Sequence, residues 1–174
     1  MIVVVLDACF LILLRDTGRL DLLGKVSGPM DWSYYVPEAV YGEATARMPE
    51  GLAVKRLTED GTMSRCVAPD ELCSRLSVRY PRLGRGEVEA LAYAATERDR
   101  GEDVLVVSDD GKAEKAAEQL GLEIIGTLDF LGSCNKTGVM SGDEIRGYLS
   151  VLKSRNFEAR EEELRRFLTS PGSA

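Results

Sequence analysis

The sequence contains no histidine, and this absence removes several kinds of catalytic site at once. Ser-His and Cys-His nucleophilic pairs, histidine general bases and histidine-ligated zinc are all excluded. The four cysteines lie far apart and form no C-x-x-C pair, so neither a zinc knuckle nor a dense disulfide framework is indicated. Any acid–base or metal chemistry must therefore depend on carboxylates, and reduced thiols predict a cytoplasmic location.

An excess of positive charge is also lacking. The formal net charge is −7 and the sequence pI is about 4.8, which would repel a polyanion at long range. A role in nucleic-acid binding therefore requires a local basic surface or bridging metal ions. Five arginines in one interval are candidates to hold a phosphate backbone, although each alone is also typical of ordinary solvated surface. They are Arg65, Arg75, Arg79, Arg82 and Arg85.

The chain has no apolar run long enough to span a bilayer. Residues 1–14 are apolar, but Asp7 interrupts them, and a basic leader and a small-residue cleavage site are both missing. We predict a buried strand over residues 2–6 that leads into a short helix over residues 8–14, and no membrane segment.

Strand-like and helix-like segments alternate along the chain. Short β-branched runs predict strands at residues 2–6, 32–36, 104–107 and 122–125, with helical patterns between them. A strand or irregular hairpin is expected over residues 52–66, a second amphipathic piece over 18–24 ends at glycine, and the pattern after Thr127 is helical. This alternation predicts an α/β fold with a mostly parallel central sheet.

Acidic residues follow two of the predicted strands and occupy two of the helices. Asp7 ends the first strand, Asp109 and Asp110 follow the strand at 104–107, and Glu43 and Glu87 lie on helices. Functional groups of a parallel sheet collect at the carboxyl ends of its strands, so these side chains are expected to converge. Converging carboxylates repel each other unless a cation holds them, and Mg²⁺ prefers such oxygen ligands.

Each acid alone also has a purely structural explanation. Asp7 could be a helix N-cap, and Glu43 a solvated helix residue. Glu87 suits the positive end of a helix dipole, while residues 109–111 could form a turn and a cap. The argument for a metal site therefore depends on the whole set.

Four segments resemble the successive acid motifs of PIN domains. They are Val-Val-Leu-Asp-Ala at 4–8, Pro-Glu-Ala-Val-Tyr-Gly-Glu at 37–43, Gly-Arg-Gly-Glu-Val-Glu-Ala-Leu-Ala-Tyr-Ala at 84–94 and Val-Val-Ser-Asp-Asp at 106–110. The likeness is greatest to a prokaryotic subfamily grouped with the VapC-type toxins, in which a Gly-Thr-Leu motif follows the last strand. Gly126, Thr127 and Leu128 supply that motif here.

The resemblance implies a three-layer α/β/α sandwich over residues 1–150, followed by a helical extension and frayed tail over 151–174. It implies a Mg²⁺- or Mn²⁺-dependent endoribonuclease, of the toxin type, with RNA as substrate and an antitoxin protein as partner. The implied metal-binding and catalytic residues are Asp7, Glu43, Glu87 and Asp110, with Asp109 as the alternative to Asp110. Ser108 would position a ligand or a water molecule.

A homodimer is also expected, because paired subunits are common in such toxins and six leucines in residues 11–23 supply more apolar surface than one short segment needs.

Three competing interpretations are weighed against a nuclease. A HAD-type phosphatase requires a second Asp two residues after the first, where this chain has Cys9. A dinucleotide site would need a strand before Gly84 and Gly86 and a third glycine, and both are missing. The remaining alternative is a PIN-fold protein-interaction module with little or no activity. Cys9 favours it, because a thiol is a poor partner for a hard cation or a phosphate.

Overall fold

Five parallel strands form the centre of the computed structural model, which describes residues 1–154 and Phe157. The strands are β1 (Ile2–Leu6), β2 (Trp32–Pro37), β3 (Met63–Cys66), β4 (Val104–Val107) and β5 (Glu123–Ile125). Their order in the sheet is β3-β2-β1-β4-β5, and every neighbouring pair is parallel. The predicted strands are confirmed, and the central strand β1 is continuously apolar because both of its faces are covered.

Helices cover both faces of this sheet. Within the described residues they are α1 (Ala8–Asp16), α2 (Asp21–Met30), α3 (Glu38–Thr45), α4 (Gly51–Glu59), α5 (Asp70–Arg79), α6 (Arg85–Asp99), α7 (Gly111–Leu120), α8 (Thr127–Lys136) and α9 (Gly142–Ser154). Side chains of a strand alternate between faces, so Val4 and Leu6 enter one core while Val3 and Val5 enter the other. The three-layer α/β/α sandwich is therefore confirmed.

The strand order reverses beside β1. The chain leaves β1 for β2 and β3 on one side, then crosses to β4 and β5 on the other. The carboxyl ends of β1 and β4 therefore form the switch point of the sheet, where α/β proteins place their ligand crevice. Asp7 follows β1 at this point, and Ser108 follows β4.

The prediction of a strand or hairpin was wrong for most of residues 52–66. Helix α4 covers Gly51–Glu59, and only Met63–Cys66 joins the sheet. Val54 is fully buried, and Leu57, three residues later, packs on the same core. This helical spacing resembles weak alternation when it is read over so short a segment.

The leucines of α1 and α2 lie inside the core of their own chain. Five of them are at most 8% exposed: Leu11, Leu14, Leu20, Leu22 and Leu23. The amphipathic piece over 18–24 was predicted to end at Gly24, but helix α2 continues to Met30. Val26 is buried on the same face of the helix as Leu22 and Leu23. The apolar surface that suggested a homodimer is thus used within one subunit. The homodimer stays a prediction without that support.

The predicted domain boundary at residue 150 falls inside α9. Ile145, Leu149 and Leu152 are buried on the core that also receives α8. Residues 155, 156 and 158–174 lie outside the described residues, so most of the predicted extension and tail over 151–174 stays a prediction. In the described part of the chain, no helix is long and apolar enough to cross a membrane.

Candidate active site

Asp7 is the buried centre of the candidate site. It is only 3% exposed, and its backbone N–H donates to the carbonyl oxygen of Val107, which ties the ends of β1 and β4 together. The Ser108 hydroxyl donates to Asp7 Oδ2 at 2.7 Å, and the Ala8 N–H donates to Oδ1 at 2.6 Å. Asp7 therefore does act as the N-cap of α1, as its structural explanation required, while Ser108 holds its other oxygen.

Burial raises the pKa of Asp7 to about 6, even though the hydrogen bonds from Ser108 and Ala8 favour the charged form and lower it. The carboxylates of Glu87 and Glu43 raise it further. Asp7 is therefore a buried acid whose charge is opposed by two neighbouring acids. A cation at this position would relieve that opposition.

The two glutamates reach the switch point from different helices. Glu87 lies in the first turn of α6, where its carboxylate accepts a hydrogen bond of 2.6 Å from the Gly84 N–H. Glu43 lies on α3 with Oε1 close to α6, because a Cβ atom added to Gly86 would lie 3.2 Å from that oxygen. The glycine at position 86 thus lets α3 and α6 approach closely enough to bring Glu43 to the site.

The thiol of Cys9 lies among the same acids. Partial desolvation raises its pKa to about 11, and the nearby charges of Asp7, Glu87, Asp110 and Glu43 add to the increase. All four acids are therefore close enough to Cys9 for their charges to affect its pKa. The arrangement brings together the residues predicted as the four motif acids, and it also places the unexpected thiol beside them.

Asp109 and Asp110 have different surroundings. The two oxygens of Asp109 accept hydrogen bonds from Thr127, one from its backbone N–H at 2.7 Å and one from its hydroxyl. Desolvation raises the pKa of Asp109, and the neighbouring acid that contributes is Asp129 rather than Asp7. Asp109 therefore fastens the start of α8 to the end of β4.

Asp110 instead caps α7 and faces the acid site. Its Oδ1 accepts hydrogen bonds from the N–H groups of Lys112 at 2.6 Å and Ala113 at 3.1 Å. The Asp110 N–H lies 3.2 Å from the Ser108 hydroxyl oxygen, so Ser108 connects Asp110 to Asp7. Of the two aspartates, Asp110 is the one whose charge reaches Cys9.

The Gly-Thr-Leu motif has a structural explanation that the sequence analysis missed. Thr127 is fully buried and supplies both donors to Asp109, while Leu128 joins the core. A Cβ atom on Gly126 would lie 2.9 Å from Asp109 Oδ1, so a larger residue would displace that carboxylate. The Gly-Thr-Leu motif was visible in the sequence, where it indicated only a likeness to a family. The sequence alone did not show that Thr127 would pair with Asp109.

Glu89, two residues after Glu87, forms hydrogen bonds of its own. Its Oε2 accepts from the Ala39 N–H at 2.8 Å and its Oε1 from Arg85 at 2.8 Å, with 13% of its side chain exposed. It faces away from Glu87, because residues two positions apart do not share a helix face. Glu89 thus joins α6 to the start of α3.

The donor chemistry of the site fits a hard divalent cation, since carboxylate oxygens are the preferred ligands of Mg²⁺ and Mn²⁺. Such an ion would offset the repulsion between buried Asp7 and the carboxylates of Glu87 and Glu43. Within residues 1–154 and Phe157, however, no three acidic or cysteine side chains are grouped closely enough to form a preformed metal cage. Of these acids, Asp7 is buried, Glu87 is half-buried and Glu43 is exposed.

An all-parallel α/β/α sandwich with acids at the switch point of its sheet is the architecture of a PIN-like nuclease. The family model DUF3368, a PIN domain, matches residues 3–173. The chain therefore belongs to the PIN-domain family, whose members are generally nucleases. No curated protein matches the chain.

Proposed function

We propose that the protein is an endoribonuclease that hydrolyses RNA phosphodiester bonds with the help of Mg²⁺ or Mn²⁺. The observation that carries the proposal is Asp7, a buried acid whose pKa is raised to about 6 beside Glu43 and Glu87. In a member of a nuclease family, a buried acid at the switch point that is destabilised by the charges of two neighbouring acids suits a cation-binding site.

Four carboxylates would hold the ion: Asp7, Glu43, Glu87 and Asp110. When bound, the ion supplies a Lewis acid that activates water for in-line attack and offsets charge on the leaving oxygen. Asp109 was an alternative ligand in the sequence prediction. In this proposal it is a structural residue instead, because Thr127 occupies both of its oxygens.

Ser108 acts through Asp7 and Asp110. Its hydroxyl donates to Asp7 Oδ2, which fixes the plane of that carboxylate, and its oxygen lies against the Asp110 N–H. Ala8 fixes the other oxygen of Asp7 in the same way. These contacts orient two of the four acids before any ion arrives, which leaves Glu43 and Glu87 as the groups that adjust.

The four motifs also support a more specific role. We propose that the chain is the toxin component of a toxin–antitoxin pair of the VapC type, acting in the cytoplasm on cellular RNA. Expression in a bacterium should then arrest growth. Co-expression of the protein encoded beside it should restore growth, and growth that is unaffected by the chain would contradict this role.

Cys9 favours a second candidate, a PIN-fold interaction module with weak or no activity. At neutral pH its thiol stays protonated, because its pKa is about 11, and a protonated thiol is a poor ligand for a hard cation. The lack of a preformed metal cage in the described residues points the same way. Metal binding distinguishes the two candidates.

Calorimetric titration of Mn²⁺ into the protein tests the proposal. We expect a binding isotherm for the wild type and strongly reduced binding for Asp7→Asn, which keeps the shape but loses the charge. The matched control is Asp103→Asn, an exposed residue just before β4, at the opposite edge of the sheet. Absence of Mn²⁺ binding to the wild type would favour the interaction module.

A further inference from the structure

Glu43 differs from the other three proposed ligands, because its carboxylate accepts no hydrogen bond from any residue that the structure describes. Asp7, Glu87 and Asp110 each accept one from a backbone N–H group close to them in the chain. The Glu43 side chain is also exposed. The place from which its carboxylate reaches the site is therefore set by the backbone of α3, and so by the contacts that hold α3.

Helix α3 is short and has weak ends of its own. It spans eight residues, and an isolated helix of this length is not stable in water. Pro37, at its N-cap, makes no side-chain hydrogen bond to the first turn, and Ala46 ends the helix without a left-handed turn. Val40 and Ala44 are its buried residues. Contacts with other elements must therefore fix both ends of α3.

Glu89 of α6 caps the start of α3 in place of Pro37. Its Oε2 accepts a 2.8 Å hydrogen bond from the Ala39 N–H, one of the N–H groups that a helix leaves unpaired in its first turn. A carboxylate at this end also interacts favourably with the helix dipole. The Glu89 side chain is 13% exposed, so little water competes for the bond. Glu89 thereby fastens α3 to the helix that carries Glu87.

Arg15 of α1 binds the other end of α3. Its Nη1 donates to the carbonyl oxygen of Ala44 at 2.7 Å, and its Nε donates to Asp16 Oδ1 at 2.7 Å. The Ala44 carbonyl lies in the last turn, directly after Glu43, where a cation complements the negative end of the helix dipole. Only 4% of the Arg15 side chain is exposed. Arg15 thereby fastens α3 to the helix whose N-cap is Asp7.

We propose that Glu89 and Arg15 are positioning residues for Glu43, an assignment that rests on the proposed function. The two side chains hold opposite ends of α3 against α6 and α1, the helices that begin beside Glu87 and Asp7. They thus set the place from which the Glu43 carboxylate reaches the other acids. Each acts through the α3 backbone and is not itself a ligand, so its loss should lower metal affinity while all four carboxylates remain.

Calorimetric titration of Mn²⁺ into Glu89 variants is the first test. Glu89→Ala removes the acceptor for the Ala39 N–H and should weaken Mn²⁺ binding about tenfold. Glu89→Gln loses the same charge but keeps an acceptor oxygen, so it should retain most of the affinity. Glu97→Ala is the matched control, because Glu97 lies on the same helix with 12% of its side chain exposed and is paired with Arg100. Equal losses in Glu89→Ala and Glu89→Gln would show a charge effect and overturn the role of Glu89.

For Arg15, charge and position predict opposite results. Arg15→Met removes a positive charge, which alone would tighten the binding of a cation. Loss of the bond to the Ala44 carbonyl should instead weaken Mn²⁺ binding severalfold. Arg98→Met is the control, since Arg98 binds the end of α7 in the same way, at the Leu120 carbonyl. Tighter or unchanged Mn²⁺ binding by Arg15→Met, with its fold checked by urea unfolding, would overturn the role of Arg15.

Combination with Glu43→Gln shows whether Glu89 acts through Glu43. In the Glu43→Gln background, Glu89→Ala should weaken Mn²⁺ binding no further, because the acid that Glu89 positions no longer contributes its charge. A further loss of about tenfold would mean that Glu89 supports the site as a whole, and it would overturn the assignment.

Amide hydrogen exchange in EDTA separates the assignment from the proposed function. Exchange over residues 38–46 should be faster in Glu89→Ala and Arg15→Met than in the wild type, and nearly unchanged in Glu89→Gln. If the wild type binds no Mn²⁺, the proposed function fails, while faster exchange in these two variants still supports the placement of Glu43 by the ends of α3. Unchanged exchange overturns the assignment, and Mn²⁺ binding by the wild type then leaves the proposed function standing.

Discussion

The hydroxyl of Ser108 donates a 2.7 Å hydrogen bond to Oδ2 of Asp7, across 101 positions in the chain. The bond joins the carboxyl ends of β4 and β1, the two strands between which the sheet order reverses. It also opposes the effect of burial on Asp7, because a hydrogen bond to the charged form lowers the pKa of a carboxyl group.

Ser108→Ala should therefore reduce cleavage without unfolding the protein. Loss of a hydrogen bond to a charged group costs roughly tenfold to a hundredfold in an equilibrium or rate, and the Asp7 carboxylate would lose its fixed orientation. Ser108→Thr keeps the hydroxyl and should retain most of the activity. Ser64→Ala, on an exposed position of β3, is the control in steady-state RNA cleavage. Equal activity of Ser108→Ala and Ser64→Ala would remove Ser108 from the site.

The metal-free protein should become less stable as the pH rises from about 4 to about 6. The pKa of Asp7 is about 6 in the folded state against an ordinary value of 3.8, so the folded state holds the proton more tightly. The free energy of unfolding therefore falls through this window, by about 3 kcal/mol from Asp7 alone. The raised pKa of Asp109 acts in the same direction.

Urea unfolding in EDTA across this pH range checks that prediction. Asp7→Asn should flatten the profile and be the more stable protein at neutral pH, while Asp103→Asn should follow the wild type. A wild-type stability that rises with pH between these values would contradict the raised pKa. An Asp7→Asn variant less stable than wild type at neutral pH would make Asp7 a structural residue.

Asp109 and Asp110 should give different phenotypes. Thr127→Val removes the hydroxyl that donates to Asp109, and we expect it to cost about 1–3 kcal/mol of stability while the folded protein stays active. Asp110→Asn should lose activity instead, since its charge reaches the acid site. Thermal melts paired with cleavage assays check both variants. A Thr127→Val protein that is stable but inactive would indicate that Asp109 is a metal ligand after all.

Cys9→Ser should raise the activity. The thiol lies among four acids, and a hydroxyl oxygen is a better neighbour for a hard cation and a phosphate. A severalfold increase in Mg²⁺-dependent cleavage is expected, with a smaller increase in Mn²⁺. Ser64→Ala, on an exposed position of β3 outside the acid site, is the control. Lower activity of Cys9→Ser would show that the thiol itself contributes to the reaction.

Much of the fold could be predicted from short-range patterns. A continuously apolar run such as residues 2–6 predicts a strand covered on both faces, and Pro37 marks the start of α3. The segment 52–66 could not be assigned in this way, because Val54 and Leu57 make contact with the core only once α4 is packed. The leucines of α1 and α2 suggested a dimer surface for a related reason. Their burial within the chain depends on residues distant in sequence, which the local pattern does not show.

The candidate site shows the same division. The motif spacing predicted Asp7, Glu43, Glu87 and Asp110 as the acids of the site, and the α/β topology places Asp7 and Asp110 after the neighbouring strands β1 and β4. The sequence could not separate the roles of Asp109 and Asp110, because the difference arises from contacts with Thr127, 18 positions away from Asp109. The paired states of the arginines likewise depend on tertiary contacts, such as Arg65 with Glu38.

Mg²⁺- or Mn²⁺-dependent cleavage of a mixed RNA pool by a double mutant tests the central claim most directly. If the acids hold one ion as a unit, Asp7→Asn and Glu87→Gln should each reduce cleavage by orders of magnitude, and their combination should be hardly worse than either. Asp103→Asn should cleave like the wild type. Undiminished cleavage by the folded double mutant would contradict the account, because the active site would then lie elsewhere.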